Sequence, residues 1–183
     1  MSALLAAILS AASVQAQAPS AGVSFVGSLA WAMGQVPGDG LSLSGGARVW
    51  FSRFSAGLEA QLLPPGVKQL TAEELRRYDF LAAQTGAGRT RGVGVTGLVP
   101  LCFHERLVSA CGVVVAGAVS VDSVWQPLFS YGVRLAGEYP EHSPIRARAS
   151  LQALHGVVRP GGAFWSASPI QFGATLGLVV DAT

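Results

Sequence analysis

The feature that most constrains this chain is a two-residue alternation of apolar and polar side chains, repeated in eight separate segments. This period predicts β-strands with two different faces. Each segment has about ten residues, the length that a tilted strand needs to cross a bilayer. The predicted strands are Ser24–Met33, Leu41–Ser52, Ser55–Leu63, Thr90–Cys102, Val108–Ala118, Ser130–Tyr139, Ile145–Leu154 and Pro169–Val180.

The chain is too poorly charged for an ordinary soluble surface. Only 12% of its 183 residues are charged, whereas soluble surfaces need roughly 25–35%. Gly, Ser, Arg and Pro interrupt every apolar stretch after the N-terminus, so no segment has the run of about 20 apolar residues that a membrane helix requires. The net charge of +2 gives no footprint for nucleic acid, and we expect no such partner.

The predicted connections alternate between long and short, beginning with a long one. Outer-membrane barrels have short periplasmic turns and long outer loops, and an even number of strands returns both termini to the periplasm. The sequence therefore predicts an all-β fold, an eight-stranded antiparallel up-and-down transmembrane β-barrel. In the longest connection, 64–88, a capping box at Thr71-Ala72-Glu73-Glu74 predicts one short helix that ends near Ala83.

The N-terminus predicts a secretory signal peptide over residues 1–16. Leu4 to Val14 form a short apolar run, and Val14-Gln15-Ala16 has the small-residue pattern that precedes cleavage. Cleavage after Ala18 also fits but would leave Pro19 next, so we prefer Ala16. The run lacks a preceding Lys or Arg, and a buried N-terminal helix is the alternative. Residues 17–183 would then form a single barrel domain.

Several short strings resemble segments of bacterial outer-membrane barrels of unassigned function. They are Pro100-Leu101-Cys102 with Ala110-Cys111-Gly112, Tyr131-Gly132-Val133-Arg134-Leu135, and Glu138-Tyr139-Pro140. With the strand pattern from Gly22 to Val180, they make the chain similar to the small eight-stranded OmpA/OmpX-like barrels. The resemblance implies an integral outer-membrane location in a Gram-negative envelope, in contact with lipid and lipopolysaccharide. The chain ends Val180-Asp181-Ala182-Thr183, without the terminal aromatic residue that such barrels often carry.

Cys102 and Cys111 flank the predicted turn between the fourth and fifth strands. A two-residue hairpin centred on Arg106 and Leu107 would place them directly opposite at a non-hydrogen-bonded site, within disulfide range. Export would preserve such a bond, and we expect a disulfide. Arg106-Leu107 is poor turn chemistry, so a longer loop with a shifted register is an alternative. Two free thiols, or a metal site with His104, are others, although this spacing matches no standard zinc pattern.

Six charged residues share the polar phase of their strands: Arg48, Glu59, Arg134, Glu138, Arg146 and Arg148. An eight-stranded barrel has room only for side chains, and buried charges must be paired there. A turn at 53–54 would place Arg48 opposite Glu59, and a turn centred on His142 would place Glu138 opposite Arg146. We interpret the six as a structural network that plugs the lumen; a gate or narrow ion path is the alternative.

The remaining expectations concern aromatic belts and function. Five aromatic residues could contribute to interfacial belts; they are Trp31, Tyr131, Tyr139, Trp165 and Phe172. Trp50 is out of phase with these belts and would fill the end of the lumen.

We expect a monomer without cofactor or metal, with a structural, adhesive or surface-interaction role and a possible surface partner for the 64–88 loop.

Two alternatives have other chemistry. One is a soluble exported barrel that binds an apolar ligand, as lipocalins do. The other is a lipid A acyl-modifying enzyme, which would need a Ser and a His near the outer rim. His142-Ser143 lies at a predicted periplasmic turn, and His155 begins an outer loop near Ser166 and Ser168, but no spacing identifies a triad. We therefore predict no catalytic residue.

Overall fold

Eight antiparallel strands close into one barrel in the computed structural model, which describes residues 21–34, 40–69, 89–121, 123–141, 143–161 and 167–182. Each strand pairs with the next, and β8 pairs with β1. The strands are β1 Ala21–Met33, β2 Gly40–Phe51, β3 Phe54–Gln69, β4 Arg89–Glu105, β5 Val108–Val121, β6 Val124–Tyr139, β7 Ile145–Val158 and β8 Ile170–Ala182. The predicted fold class is confirmed. The predicted signal peptide and the predicted helix near 71–83 lie outside the described residues.

The barrel wall is apolar on its outside and largely polar on its inside. Outward positions carry large apolar side chains, among them Leu58, Leu151 and Leu176, which are 66%, 67% and 68% exposed. Inward positions carry buried Ser, Gln, Glu and Arg side chains as well as a group of apolar ones. Within the described ranges, no helix has the length and apolar character needed to cross a membrane.

The strand register fixes the size of the barrel. Following paired residues once around the wall from Val23 on β1 leads back to Met33 on the same strand, a stagger of ten residues. The path runs through Val49, Ala56, Leu101, Gly112, Val133, Ala153 and Phe172. Eight strands with this stagger tilt by about 40° from the barrel axis. A closed barrel of this size has an interior that side chains can fill.

The two ends of the barrel differ. One end, here called the turn end, carries the start of β1, the end of β8 and the connections at 52–53, 106–107 and 140–144. The other, the loop end, carries the connections at 34–39, 70–88, 122–123 and 159–169. The predicted third outer loop was wrong: β5 and β6 are joined by a tight turn, since Val121 pairs directly with Val124.

Trp125 and Pro127, which fall between the predicted strands Val108–Ala118 and Ser130–Tyr139, belong to β6. Pro127 pairs with Ala118 three positions beyond the closing pair Val121 and Val124. Counting from that closing pair, this is a non-hydrogen-bonded position, so the missing N–H of Pro127 costs no bond to β5. Because proline is typical of loops, the sequence did not reveal that the hairpin extends this far.

Beyond the residue pair Phe129 and Val158, toward the loop end, β6 has no further strand partner on the β7 side among the described residues. The side chain of Gln126 lies at this edge and binds the backbone of Gly161 with both of its polar atoms. Its Nε2 donates to the carbonyl oxygen of Gly161 over 2.5 Å, and its Oε1 accepts from the Gly161 N–H over 2.8 Å. This pair of bonds ties the connection between β7 and β8 to the β5–β6 hairpin.

Gly132 on β6 marks a close approach between two strands. A Cβ atom there would lie 2.0 Å from the carbonyl oxygen of Ala153 and 2.8 Å from the Cα of Leu154, whereas a Cβ at Gly112 on neighbouring β5 would meet nothing within 4 Å. Gly132→Ala should therefore force the backbones apart and lower the free energy of unfolding by about 1–3 kcal/mol. Gly112→Ala is the matched control and should change it by less than about 1 kcal/mol. Urea unfolding of both variants measures the difference; equal midpoints would contradict the close approach.

Candidate functional site: a charge network in the lumen

All six charged residues that the sequence assigned to the polar phase point into the barrel. They come from four strands: Arg48 from β2, Glu59 from β3, Arg134 and Glu138 from β6, and Arg146 and Arg148 from β7. Asp181, near the end of β8, joins them. These seven residues are called the lumen network below.

Glu59 holds the part of the network nearer the middle of the barrel. Arg134 directs Nη1 at both carboxylate oxygens of Glu59, at 2.9 and 2.8 Å, and Arg148 donates from Nη1 to Oε1 over 3.2 Å. Arg134 also donates from Nε and Nη2 to Oε1 of Gln152, over 3.2 and 3.0 Å. Because these side chains are buried, the attraction between the charges is weakly screened.

Glu138 and Asp181 hold the part nearer the turn end. Arg48 forms a two-pronged pair with Glu138, in which Nη1 contacts Oε1 and Nη2 lies 2.7 Å from Oε2. Arg146 donates from Nε to Glu138 Oε2 over 3.2 Å. Arg146 also binds both oxygens of Asp181, each at 2.6 Å. Two-pronged pairs of this kind fix geometry as well as charge.

The network crosses the lumen as well as linking neighbouring strands. Arg48 and Glu138 lie on β2 and β6, and Glu59 and Arg148 lie on β3 and β7; in both cases the strands are four apart in a ring of eight. These ion pairs therefore join opposite sides of the wall. Pairs between adjacent strands would not make such a connection across the lumen.

The two predicted pairings between directly opposite residues were wrong. Arg48 lies opposite Gly57 and not Glu59, because the turn falls at 52–53 and not at 53–54. Glu138 lies opposite Arg148 and not Arg146, although Arg146 still reaches Glu138 diagonally. Both errors are shifts of two residues. A shift of two preserves the face on which every side chain lies, so the inward phase was right while the partners were not.

Trp50 lies inside the barrel near the turn end. Its ring lies 4.2 Å from the Cζ of Arg48, within the range of a cation–π contact, and 4.2 Å from the ring of His104. Its Nε1 donates to Ser24 Oγ over 2.5 Å, and Ser24 Oγ donates to Asp181 Oδ1 over 2.7 Å. Trp50 thus lies at the end of the lumen, as its phase predicts, and links the network to β1.

An apolar cluster lies inside the barrel on the loop side of the network. It lies chiefly on the inner face of β4, β5 and β6 and includes Leu98, Val115, Val119, Leu128 and Leu154. Leu128 is six residues beyond Arg134 along β6, and Leu154 is six residues beyond Arg148 along β7, both toward the loop end. Each of the five is at most 2% exposed. Charged side chains therefore lie inside the barrel near the turn end, and this apolar cluster lies inside it nearer the loop end.

Cys102 and Cys111 form a disulfide on the inner face of the β4–β5 hairpin. They are directly opposite, with Cα atoms 4.0 Å apart, and the turn lies at Arg106 and Leu107. The short hairpin therefore forms despite its poor turn chemistry; Arg106 adopts a positive φ of 53°. Among the residues that the structure describes, no three His, Cys, Asp or Glu side chains are grouped so that they could hold a metal ion.

Outward aromatic side chains gather at two levels. Phe51, Phe54, Phe103 and Tyr139 lie beside the short turns, whereas Trp31, Phe129, Tyr131 and Phe172 lie toward the loop end. Tyr139 and Tyr131 are eight residues apart on β6, which at the tilt of the strands is roughly 20 Å along the barrel axis. Trp165, also predicted for a belt, lies outside the described residues.

His155 lies on the outer face of β7 and contacts a ring, not a nucleophile. Its ring centroid is 5.6 Å from that of Tyr131, the residue opposite it on β6. Ser168 Oγ accepts from the N–H of Ile170 over 3.3 Å, and Ser166 and His142 lie outside the described residues.

Sequence reasoning missed two members of this site. Asp181 shares the inward phase of β8 with Gln171 and Val179, but it follows the predicted end of the strand at Val180. Extending the alternation by one residue would have found it. Gln152 was placed on the polar face, but its role as the partner of Arg134 depends on distances between side chains of adjacent strands that sequence phase does not provide.

No family model matches this chain, and no curated protein matches it. Among solved structures it is similar to Neisserial surface protein A, with 10% identity over 88% of this chain and 97% of that chain, and a TM-score of 0.45. It is also similar to Ail, the attachment invasion locus protein of Yersinia pestis, in complex with the heparin analogue sucrose octasulfate. There the identity is 12%, the coverage is 88% of this chain and 97% of that chain, and the TM-score is 0.44. The fold itself rests on the strand pairing described above.

Glu59 and Arg134 should be strongly coupled. Glu59→Gln leaves Arg134 and Arg148 without their shared carboxylate, and breaking a buried pair in this way costs about 3–5 kcal/mol of unfolding free energy. The double variant Glu59→Gln with Arg134→Met should be less destabilised than the sum of the single variants. A double-mutant cycle in urea measures the coupling.

The exposed pair Arg53 and Glu105, at 3.2 Å, is the control for this cycle. Its coupling should stay below about 1 kcal/mol because water screens both charges. Additive effects at Glu59 and Arg134 would show that the two residues are not energetic partners.

Proposed function

We propose that this protein is an integral outer-membrane barrel with a closed lumen, which acts through contacts made at its loop end and not through transport or catalysis. The observation that carries the proposal is the inverted distribution of side chains over the wall. Large apolar side chains cover the outside, and four arginines and three carboxylates among the described residues lie inside.

The exterior suits lipid and does not suit water. Exposed apolar patches on soluble monomers rarely exceed a few hundred Å², whereas here every strand from β1 to β8 presents exposed Leu, Val, Ile or Phe side chains. A closed barrel also satisfies its backbone hydrogen bonds within the wall, as a lipid-embedded chain must. This argues against a soluble lipocalin-like barrel, whose outside would be polar.

The two aromatic levels support a membrane position. Their separation of roughly 20 Å is close to the apolar band of about 25 Å on outer-membrane barrels, which aromatic girdles flank on both sides. By the usual arrangement of such barrels, the turn end and both termini would face the periplasm, and the loop end would face outward.

The loop end offers the surface for interaction. The β5–β6 hairpin extends beyond the upper aromatic level, and at its tip Val124 and Trp125 are 60% and 59% exposed. Exposed tryptophan is a side chain that protein interfaces favour. A structural or adhesive role at the cell surface, in contact with lipopolysaccharide or a protein partner, follows from this position. The surroundings of His155 supply no specific observation in favour of the enzymatic alternative.

Membrane integration is tested by extraction and by heat-dependent gel mobility. The native protein should stay with the envelope in carbonate and dissolve in detergent, and boiled and unboiled samples should migrate differently because a closed barrel resists detergent. Leu135, midway between Tyr131 and Tyr139, sharpens the test. Leu135→Arg should destabilise the protein in lipid by about 2–4 kcal/mol, whereas Val124→Arg, beyond the upper aromatic level, should cost less than about 1 kcal/mol. Release by carbonate, or equal effects of the two variants, would refute membrane integration.

Closure of the lumen is tested separately in planar bilayers. The wild-type protein should give no steady ion conductance, because the apolar cluster seals the lumen even if the charged pairs rearrange. Replacing Leu98 and Leu128 together with Ala should not open a path while the lumen network remains intact. Removing the network partner Glu59 as well should increase the conductance. Steady wild-type conductance would indicate a small channel instead.

A further inference from the structure

The lumen network has one more cation than it has carboxylates. Its described members are Arg48, Arg134, Arg146 and Arg148 against Glu59, Glu138 and Asp181, four positive charges against three negative ones. Arginine stays protonated in proteins, so the excess cannot be removed by loss of a proton. His104, close to the network, adds no negative charge.

The distribution of contacts assigns the excess charge to Arg148. The other three arginines each bind both oxygens of one carboxylate: Arg134 that of Glu59, Arg48 that of Glu138, and Arg146 that of Asp181. Arg148 has one bond of 3.2 Å to Glu59, which Arg134 already occupies. Its Nε also lies 3.9 Å from Oε1 of Glu138, beyond hydrogen-bond distance.

Hydrogen bonding points to the same place. Among the described residues, the Nε atoms of Arg148 and Arg48 are buried donors without a hydrogen-bond partner. The Arg148 side chain is 4% exposed. The two arginines lie close together, because both approach Oε1 of Glu138. A water molecule could accept from these N–H groups, but it would leave the positive charge uncompensated.

We infer that the lumen holds a small monovalent anion of the chloride class beside Arg148, with Arg148 Nε as a donor and Arg48 Nε as the second available one. The anion supplies the fourth negative charge of the network. It would enter from the turn end, where Asp181 remains 30% exposed. The apolar cluster blocks the other direction, so the site is a structural one and not a step in a path. The inference concerns the lumen of the folded barrel and does not depend on what the loop end binds.

The test is urea unfolding of the folded full-length chain in a neutral detergent, at constant ionic strength, with sodium chloride replaced stepwise by sodium gluconate. Since the folded state binds one anion, each tenfold rise in chloride above its Kd should lower the unfolding equilibrium constant about tenfold. Bromide should substitute for chloride, and the large gluconate anion should not. A midpoint that stays the same at every ratio of chloride to gluconate would overturn the inference.

Two variants remove the excess charge in different ways. Arg148→Gln deletes the cation, and Gln152→Glu adds a carboxylate beside Arg134, whose Nε and Nη2 already bind Oε1 of this side chain. Both should lose the chloride dependence. Should Arg148→Gln not fold, the near-isosteric Gln152→Glu decides. Arg53→Gln, at an exposed pair, changes the net charge as Arg148→Gln does and should retain the dependence. Chloride dependence that persists in Gln152→Glu would refute the assignment.

Discussion

Closure of the barrel with a stagger of ten residues is the constraint on which the rest of this structure depends. Strand number and stagger together set the tilt and the width of the barrel, and they leave an interior that long side chains can span. Arg48 can reach Glu138 across the lumen because the barrel is narrow. A wider barrel would leave water between them, and the same charges would contribute little to stability.

The same closure explains why a protein with an apolar outside can keep seven charged groups inside. Backbone polar groups in a closed wall bond to adjacent strands, so the outside presents mainly side chains. The polar side chains inside the barrel then have to bond to one another, and the long arginine side chains do so across the lumen. In other proteins, replacing a buried ion pair with apolar residues of similar volume often leaves the stability unchanged. Here such a replacement would also remove the contacts between opposite strands.

The sequence predicted the strands and their faces well because alternation is a local property. The inward phase of Arg134 and Arg148 and the register of Cys102 with Cys111 follow from counting residues. The contact partners of the charged residues do not follow from counting, since Arg48 and Glu138 meet through the closed ring and are 90 residues apart in sequence. Pro127 misled for a related reason: its missing N–H is harmless only because β6 lacks a strand neighbour on that side among the described residues.

The contact between Gln126 and Gly161 also protects an exposed strand edge from pairing with another molecule. An exposed strand edge is a template on which another chain can add itself, and natural sheets protect such edges from intermolecular pairing. The amide of Gln126 offers both a donor and an acceptor, as the backbone of an added strand would. By binding both backbone groups of Gly161, it places the protein's own chain where a neighbouring molecule would otherwise dock. The β5–β6 hairpin can then extend beyond its pairing with β7 without serving as a nucleus for aggregation.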